Sequence, residues 1–172
     1  LLFTKKVQKT VWLSGDIMSS THVSLQDKIG YIRELLSSDQ TEKALLFIDK
    51  NGTQNQEMKN ALGVCLMRAG RIEQAVTVLR DLVFQNHICI PDETPPLYQA
   101  NYATALLLQN YNQMAIEIIK RIPVNSHPYV AQLHQAIGQW QKSLPLLRQM
   151  QCLLGLYPSG CRVPMDFKPG CI

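Results

Sequence analysis

The chain has 172 residues, 46% of them hydrophobic and 17% charged. That composition suits one globular domain that buries a continuous core without staples. No uninterrupted apolar run approaches the roughly 18 residues a spanning helix needs, so no membrane span is expected and the protein reads as soluble. The formal charge of +4 is mild, and Lys5, Lys6 and Lys9 supply most of it; without Arg-rich or aromatic-interleaved character, this disfavours nucleic acid as the partner.

Residues 1–22 read as a basic arm, either disordered or capping the domain that follows. Charges interrupt any apolar stretch at Leu1-Leu2-Phe3-Thr4-Lys5-Lys6, so no signal peptide is expected and the default location is cytoplasmic. Met18-Ser19-Ser20-Thr21 resembles an ordinary start, which would make residues 1–17 an upstream extension. The five cysteines are odd in number and contain no C-x-x-C pair, so reduced thiols are expected and neither a disulfide framework nor a zinc site.

Helices are predicted over 25–37, 41–50, 56–69, 72–85, 96–109, 112–121, 128–137 and 141–154, within a domain covering 23–155. Four units align on Asp39, Gly70, Asn110 and Gly138, residue types that tolerate a left-handed turn. Five residues later stand Ala44, Ala75, Ala115 and Ser143, and nine later Ile48, Leu79, Ile119 and Leu147. Before the turns come Tyr31-Ile32, Leu62-Gly63, Tyr102-Ala103 and Val130-Ala131. Small residues let paired helices approach closely, and aliphatic ones fill the layer between pairs. Pro128 suits a first helical turn, whereas Pro145 sits early in the last predicted helix and implies that this pair is kinked or short.

The run Asn60-Ala61-Leu62-Gly63-Val64-Cys65-Leu66 with Gly70 and Ala75, and the run Tyr102-Ala103 with Leu106, Asn110 and Ala115, resemble the tetratricopeptide-repeat (TPR) signature. The resemblance covers about residues 25–154, with uneven turn spacing and degenerate first and fourth units. It implies an all-α fold, an α-solenoid of about four stacked antiparallel helix-turn-helix pairs. It also implies that the first helix of each pair lines a concave face. The residues expected to contact a partner there are Asn60, Val64, Met67, Thr104, Leu107 and Leu108, on a face that mixes aliphatic and polar residues and whose equivalent positions hold Arg33, Leu36, Ser37, Arg68, Gln132, Gln135 and Ala136. The basic clamp that some family members use on acidic chaperone tails is missing: the matching positions are Asn60 and Val64, Ala100 and Thr104, and Pro128 and Gln132.

The chain carries no phosphate-cradling glycine loop, H-E-x-x-H pair or nucleophile elbow. His134 reads as structural, and His87, Cys89, Asp92 and Glu93 form no defined metal set, so neither metal nor cofactor is expected. Asn51-Gly52-Thr53 reads as an inter-helix turn before it reads as a glycosylation acceptor. The 86–96 loop and the 156–172 tail are rich in Pro and Gly. For the tail two readings stand: a cap that buries Val163, Met165 or Phe167, or a solvated end. The functional expectation is a non-enzymatic adaptor or scaffold binding another protein or peptide. A self-associating homodimer is the alternative, and a small enzyme with scattered polar residues a third reading.

Overall fold

A computed structural model describes residues 24–85, 87–158 and 160–172. The arm assigned to 1–22 lies outside the described residues. The fold is all-α, with no strand among the described residues. In chain order the helices are α1 (Leu25–Ser37), α2 (Thr41–Asn51), α3 (Gln56–Arg68), α4 (Ile72–Phe84), α5 (Pro96–Leu108), α6 (Asn112–Arg121), α7 (Pro128–Ser143) and α8 (Leu146–Leu153), with a short 3-10 turn, Val124–Ser126, before α7. Each α-helix packs on the next, and the odd-numbered ones also pack in order, α1 on α3, α3 on α5 and α5 on α7. None of the described helices is long and apolar enough to cross a membrane.

The helix starts follow from local chemistry. Ser24 Oγ accepts the Asp27 N–H at 3.2 Å and donates to the Asp27 carboxylate at 2.7 Å, a reciprocal cap. Asn55 caps α3 and His127 Nδ1 caps α7, while Pro96 and Pro128 begin helices where no N–H is needed.

Three hairpins share one turn. Asp39, Gly70 and Asn110 have φ of 56°, 75° and 63°, and the N–H of the next residue reaches back to the carbonyl five positions earlier. These bonds are Gln40 to Leu35 at 2.8 Å, and Arg71 to Leu66 and Tyr111 to Leu106 at 2.9 Å each. This is a Schellman closure, which satisfies orphan carbonyls at the end of the first helix and aims the chain into the second. Ala44, Ala75 and Ala115 then face the partner helix with no exposed surface, and Ile48, Leu79 and Ile119 are buried below them. Between the second and third hairpins, Gln85 turns the chain at φ 47°. The buried Thr94 pins the loop by donating from Oγ1 to Val83 O at 3.4 Å.

The fourth unit differs from the sequence expectation. Gly138 lies within α7, which runs on to Ser143, and the left-handed turn comes at Gly155, where Leu156 N–H closes on Gln151 O at 2.9 Å. Ser143 and Leu147, expected to be buried, are exposed. Proline decides the break: Leu144 is extended (φ −71°, ψ 154°), as a residue before proline prefers, and Pro145 is the N-cap of α8 instead of an interior residue. A lone glycine in a helix costs only about 1 kcal/mol relative to Ala, so Gly138 does not end α7.

The tightest contact between paired helices is at Gly63, where a Cβ would meet Leu79 Cγ and Cδ2 at 2.5 Å. Gly63→Ala should therefore lower stability by about 1–3 kcal/mol despite alanine's better helix propensity. In urea denaturation, Leu79→Ala should cost less in that background than in the native chain; additive costs would show that the two sites do not compete for space. Ala75→Leu and Ala115→Leu should each destabilise by a similar ~1–3 kcal/mol through overpacking.

Candidate interaction face

The first helices of the pairs, α1, α3, α5 and α7, share a face that carries buried polar side chains in an otherwise apolar setting. Asn60, Asn101 and Thr104 are at most 3% exposed. A buried amide or hydroxyl without a partner costs roughly 1–3 kcal/mol, so each must find one. Asn60 and Asn101 find it in the chain's own distal tail, which crosses this face, and Thr104 finds it in Ala100 O and the Tyr129 hydroxyl.

Asn101 holds Cys171 as a neighbouring strand would. Its Oδ1 accepts the Cys171 N–H at 3.0 Å, and its Nδ2 donates to the Cys171 carbonyl at 2.8 Å. The second Nδ2 hydrogen goes to Asn60 Oδ1 at 2.8 Å, and Asn60 Nδ2 in turn reaches the Cys171 carbonyl at 3.4 Å. Arg68 donates from Nε to Pro169 O at 3.1 Å and from Nη2 to Gly170 O at 2.9 Å. Its Nη1 reaches Leu36 O, 3.3 Å away at the end of α1. Arg33 Nε donates to Ile172 O at 3.1 Å.

Tyr129, at the start of α7, completes the set. Its hydroxyl accepts the Gly170 N–H at 2.7 Å and lies 2.9 Å from Thr104 Oγ1, which donates to Ala100 O at 2.8 Å. Because Thr104 has one hydroxyl hydrogen, already committed to Ala100, Tyr129 donates to Thr104 and keeps a lone pair for Gly170. Burial pushes the Tyr129 phenol above its ordinary pKa, with the hydrogen bonds opposing, so it stays protonated as that arrangement requires.

Gly170 is held at φ 77°, where a Cβ would lie 2.7 Å from Met67 Cε and 2.9 Å from Val64 Cγ2. Glycine is needed there twice over, for conformation and for space. Before it, the Phe167 ring meets the Tyr129 ring edge-on at 5.7 Å between centroids. Lys168 pairs with the exposed Asp39, and its hydrogen bond and charge lower the Asp39 pKa. Such an exposed pair selects more than it stabilises.

The structure thus brings four of the six expected residues to the tail: Asn60 by hydrogen bond, Val64 and Met67 beneath Gly170, and Thr104 through Tyr129. Leu107 is buried in the core and Leu108 packs half-buried against it. Arg33 and Arg68, which the sequence places on this face, bond main-chain oxygens. Asn101 and Tyr129 are additions. Asn101 carried a signal of its own, an asparagine midway along the apolar helix PLYQANYATALLL, where neither helix propensity nor core packing calls for one. Among the described residues no three of His, Cys, Asp and Glu converge as a metal site, and the loop set of His87, Cys89, Asp92 and Glu93 does not gather.

No protein-family model matches the chain, and no curated protein or solved structure is significantly similar to it.

Tyr129→Phe removes the acceptor for Gly170 N–H and the donor to Thr104 while keeping the ring. It should destabilise the chain by about 1–3 kcal/mol in urea denaturation, and Thr104→Val should add little in that background.

Proposed function

We propose that the chain is a TPR-like helical-repeat module, an α-solenoid of stacked helical pairs, that acts as an adaptor by holding an extended segment of another polypeptide on the face of α1, α3, α5 and α7. It works by binding and not by catalysis, in a cytoplasmic setting. The repeated Schellman turns, the recurrent buried alanines and the serial packing of odd-numbered helices support the repeat reading.

The observation that carries the binding reading is the two-way bond between the Asn101 amide and the main chain of Cys171. An amide paired with both the N–H and the C=O of one residue reads extended backbone, much as strand addition does at a sheet edge. Asn60 adds a second donor to the Cys171 carbonyl, and Arg68 and Arg33 extend the row to the carbonyls of Pro169, Gly170 and Ile172. Such a row draws affinity from the main chain and leaves selectivity to the few side chains it touches.

A second reading, self-association, is favoured by one feature. Leu146, Leu147, Met150, Leu153, Leu154 and Leu156 on and just after α8 are 61–87% exposed, a contiguous apolar strip of the kind that marks an interface. Leu147 and Leu154 share one side of it at helical spacing. Light scattering should then show a dimer that Leu147→Glu with Leu154→Glu dissolves; a monomer at all concentrations excludes this reading.

For the adaptor reading, a displayed peptide library is panned on the full-length chain and on a full-length Gly170→Val variant whose tail no longer fits. Recovered peptides should bind, and Asn101→Ala should weaken them about tenfold or more, the loss of one to two net hydrogen bonds. Peptides that bind the Asn101→Ala protein undiminished, or a failure to recover any from either chain, would overturn it.

A further inference from the structure

We propose that the distal tail, residues 164–172, is a replaceable occupant of this face, and that Phe167-Lys168-Pro169-Gly170 states the motif the face accepts from a partner polypeptide. This rests on the adaptor reading and names its ligand class: a segment with an aromatic residue, a lysine, a proline and an obligatory glycine in that order, the glycine in a left-handed conformation.

The tail has two parts with different chemistry. The proximal part is anchored to α6. Asn112 Nδ2 donates to Pro158 O at 2.8 Å and to Cys161 O at 2.7 Å, Gln113 bonds both Gly155 O and Tyr157 N, and Tyr157, Pro158 and Val163 are buried. Beyond Val163 the burial changes. Pro164, Asp166 and Lys168 are exposed, Met165, Phe167, Pro169, Cys171 and Ile172 are half-buried, and Gly170 alone is buried. This part is fastened by the run of side-chain bonds to its main chain from Pro169 to Ile172 and by Met165, Phe167, Cys171 and Ile172, which pack half-buried against the core. Another chain carries the same main-chain groups and can take these bonds over if it places a glycine at the left-handed position of Gly170.

The features that are not generic to a main chain define the selectivity. Each is met by one residue of the tail: the Tyr129 ring edge by Phe167, the Asp39 carboxylate by Lys168, and the cradle of Val64 and Met67 by Gly170. Pro169 stiffens the segment and lowers the ordering cost of binding. Because the proximal anchor tethers the occupant beside its site, the tail acts at an effective concentration on the order of millimolar, so a partner must bring several of these contacts together to replace it.

The test uses a labelled synthetic peptide of residues 163–172 under reducing conditions, titrated by fluorescence anisotropy into three full-length chains: native, Gly170→Val and Phe167→Ala/Lys168→Ala. The native chain should bind weakly because its own tail competes. Both variants should bind about tenfold or more tightly, the competition having been weakened in cis. A peptide carrying Gly170→Val should bind none of them. If the variants keep their far-UV spectrum and cooperative melting yet do not bind the native-sequence peptide, the tail is a fixed part of the fold and the proposal is overturned. It is equally overturned if the valine-bearing peptide binds as well as the native one, or if neither variant folds, since an exchangeable occupant must be dispensable to the fold. Recovery of library peptides by the same Gly170→Val chain, with no binding of the tail peptide, would leave the adaptor reading intact and sink this one alone.

Discussion

Asn101 sits in the middle of α5 with no exposed surface, among alanines, leucines and tyrosines. Its amide has two donors and an acceptor, and α5 cannot satisfy them from its own backbone, whose groups are engaged along the helix. The rest of the face is arranged around that demand. Asn60 on α3 takes one hydrogen, and Cys171 takes the other while supplying the N–H that the oxygen needs. With Cys171 fixed, Gly170 must lie over Val64 and Met67, and its N–H must point at Tyr129. A single buried amide thereby sets the register of a segment about seventy positions away in sequence.

The helical framework supplies the precision this requires. Helices that pack through alanine or glycine approach closely and leave little room for adjustment; Gly63 admits Leu79 of α4, and Ala61, Ala75, Ala100 and Ala103 are all buried. The three equivalent turns then repeat the direction change from one pair to the next. Polar atoms on successive first helices consequently fall in a row, close enough for Asn60 and Asn101 to bond each other.

Much of this framework is legible in the sequence because its rules are local. The left-handed residue, the alanine five positions on and the aliphatic residue nine positions on recur in three units, and each has its own physical cause. The fourth unit misleads because Gly138 mimics the turn signal, while the determining residue, Pro145, acts through the conformation of Leu144. The path of the tail is harder to read. An extended segment has no periodicity, and its bonds come from residues distant in sequence, so only Gly170 and the out-of-place Asn101 hint at it. Of the six residues expected on the face, Asn60, Val64 and Met67 meet the tail and Thr104 reaches it through Tyr129; Leu107, at the position equivalent to Met67, is buried in the core and Leu108 packs half-buried against it.

The division of the tail into a buried anchor and a hydrogen-bonded end has an energetic meaning. Apolar burial is lost outright when a segment leaves, since water offers no substitute, whereas main-chain hydrogen bonds are traded for bonds to water at a net cost of about 0.5–1.5 kcal/mol each. Tyr157 and Val163 belong to the first kind, and residues 169–172 mostly to the second. Of the latter only Gly170 is fully buried, and it has no side chain with which to bury apolar surface, while Cys171 and Ile172 pack half-buried against the core. Residues 169–172 can therefore give up these bonds at a smaller cost than Tyr157 and Val163 can give up their burial, and the bonds from Asn112 to Pro158 and Cys161 belong to the anchor alone.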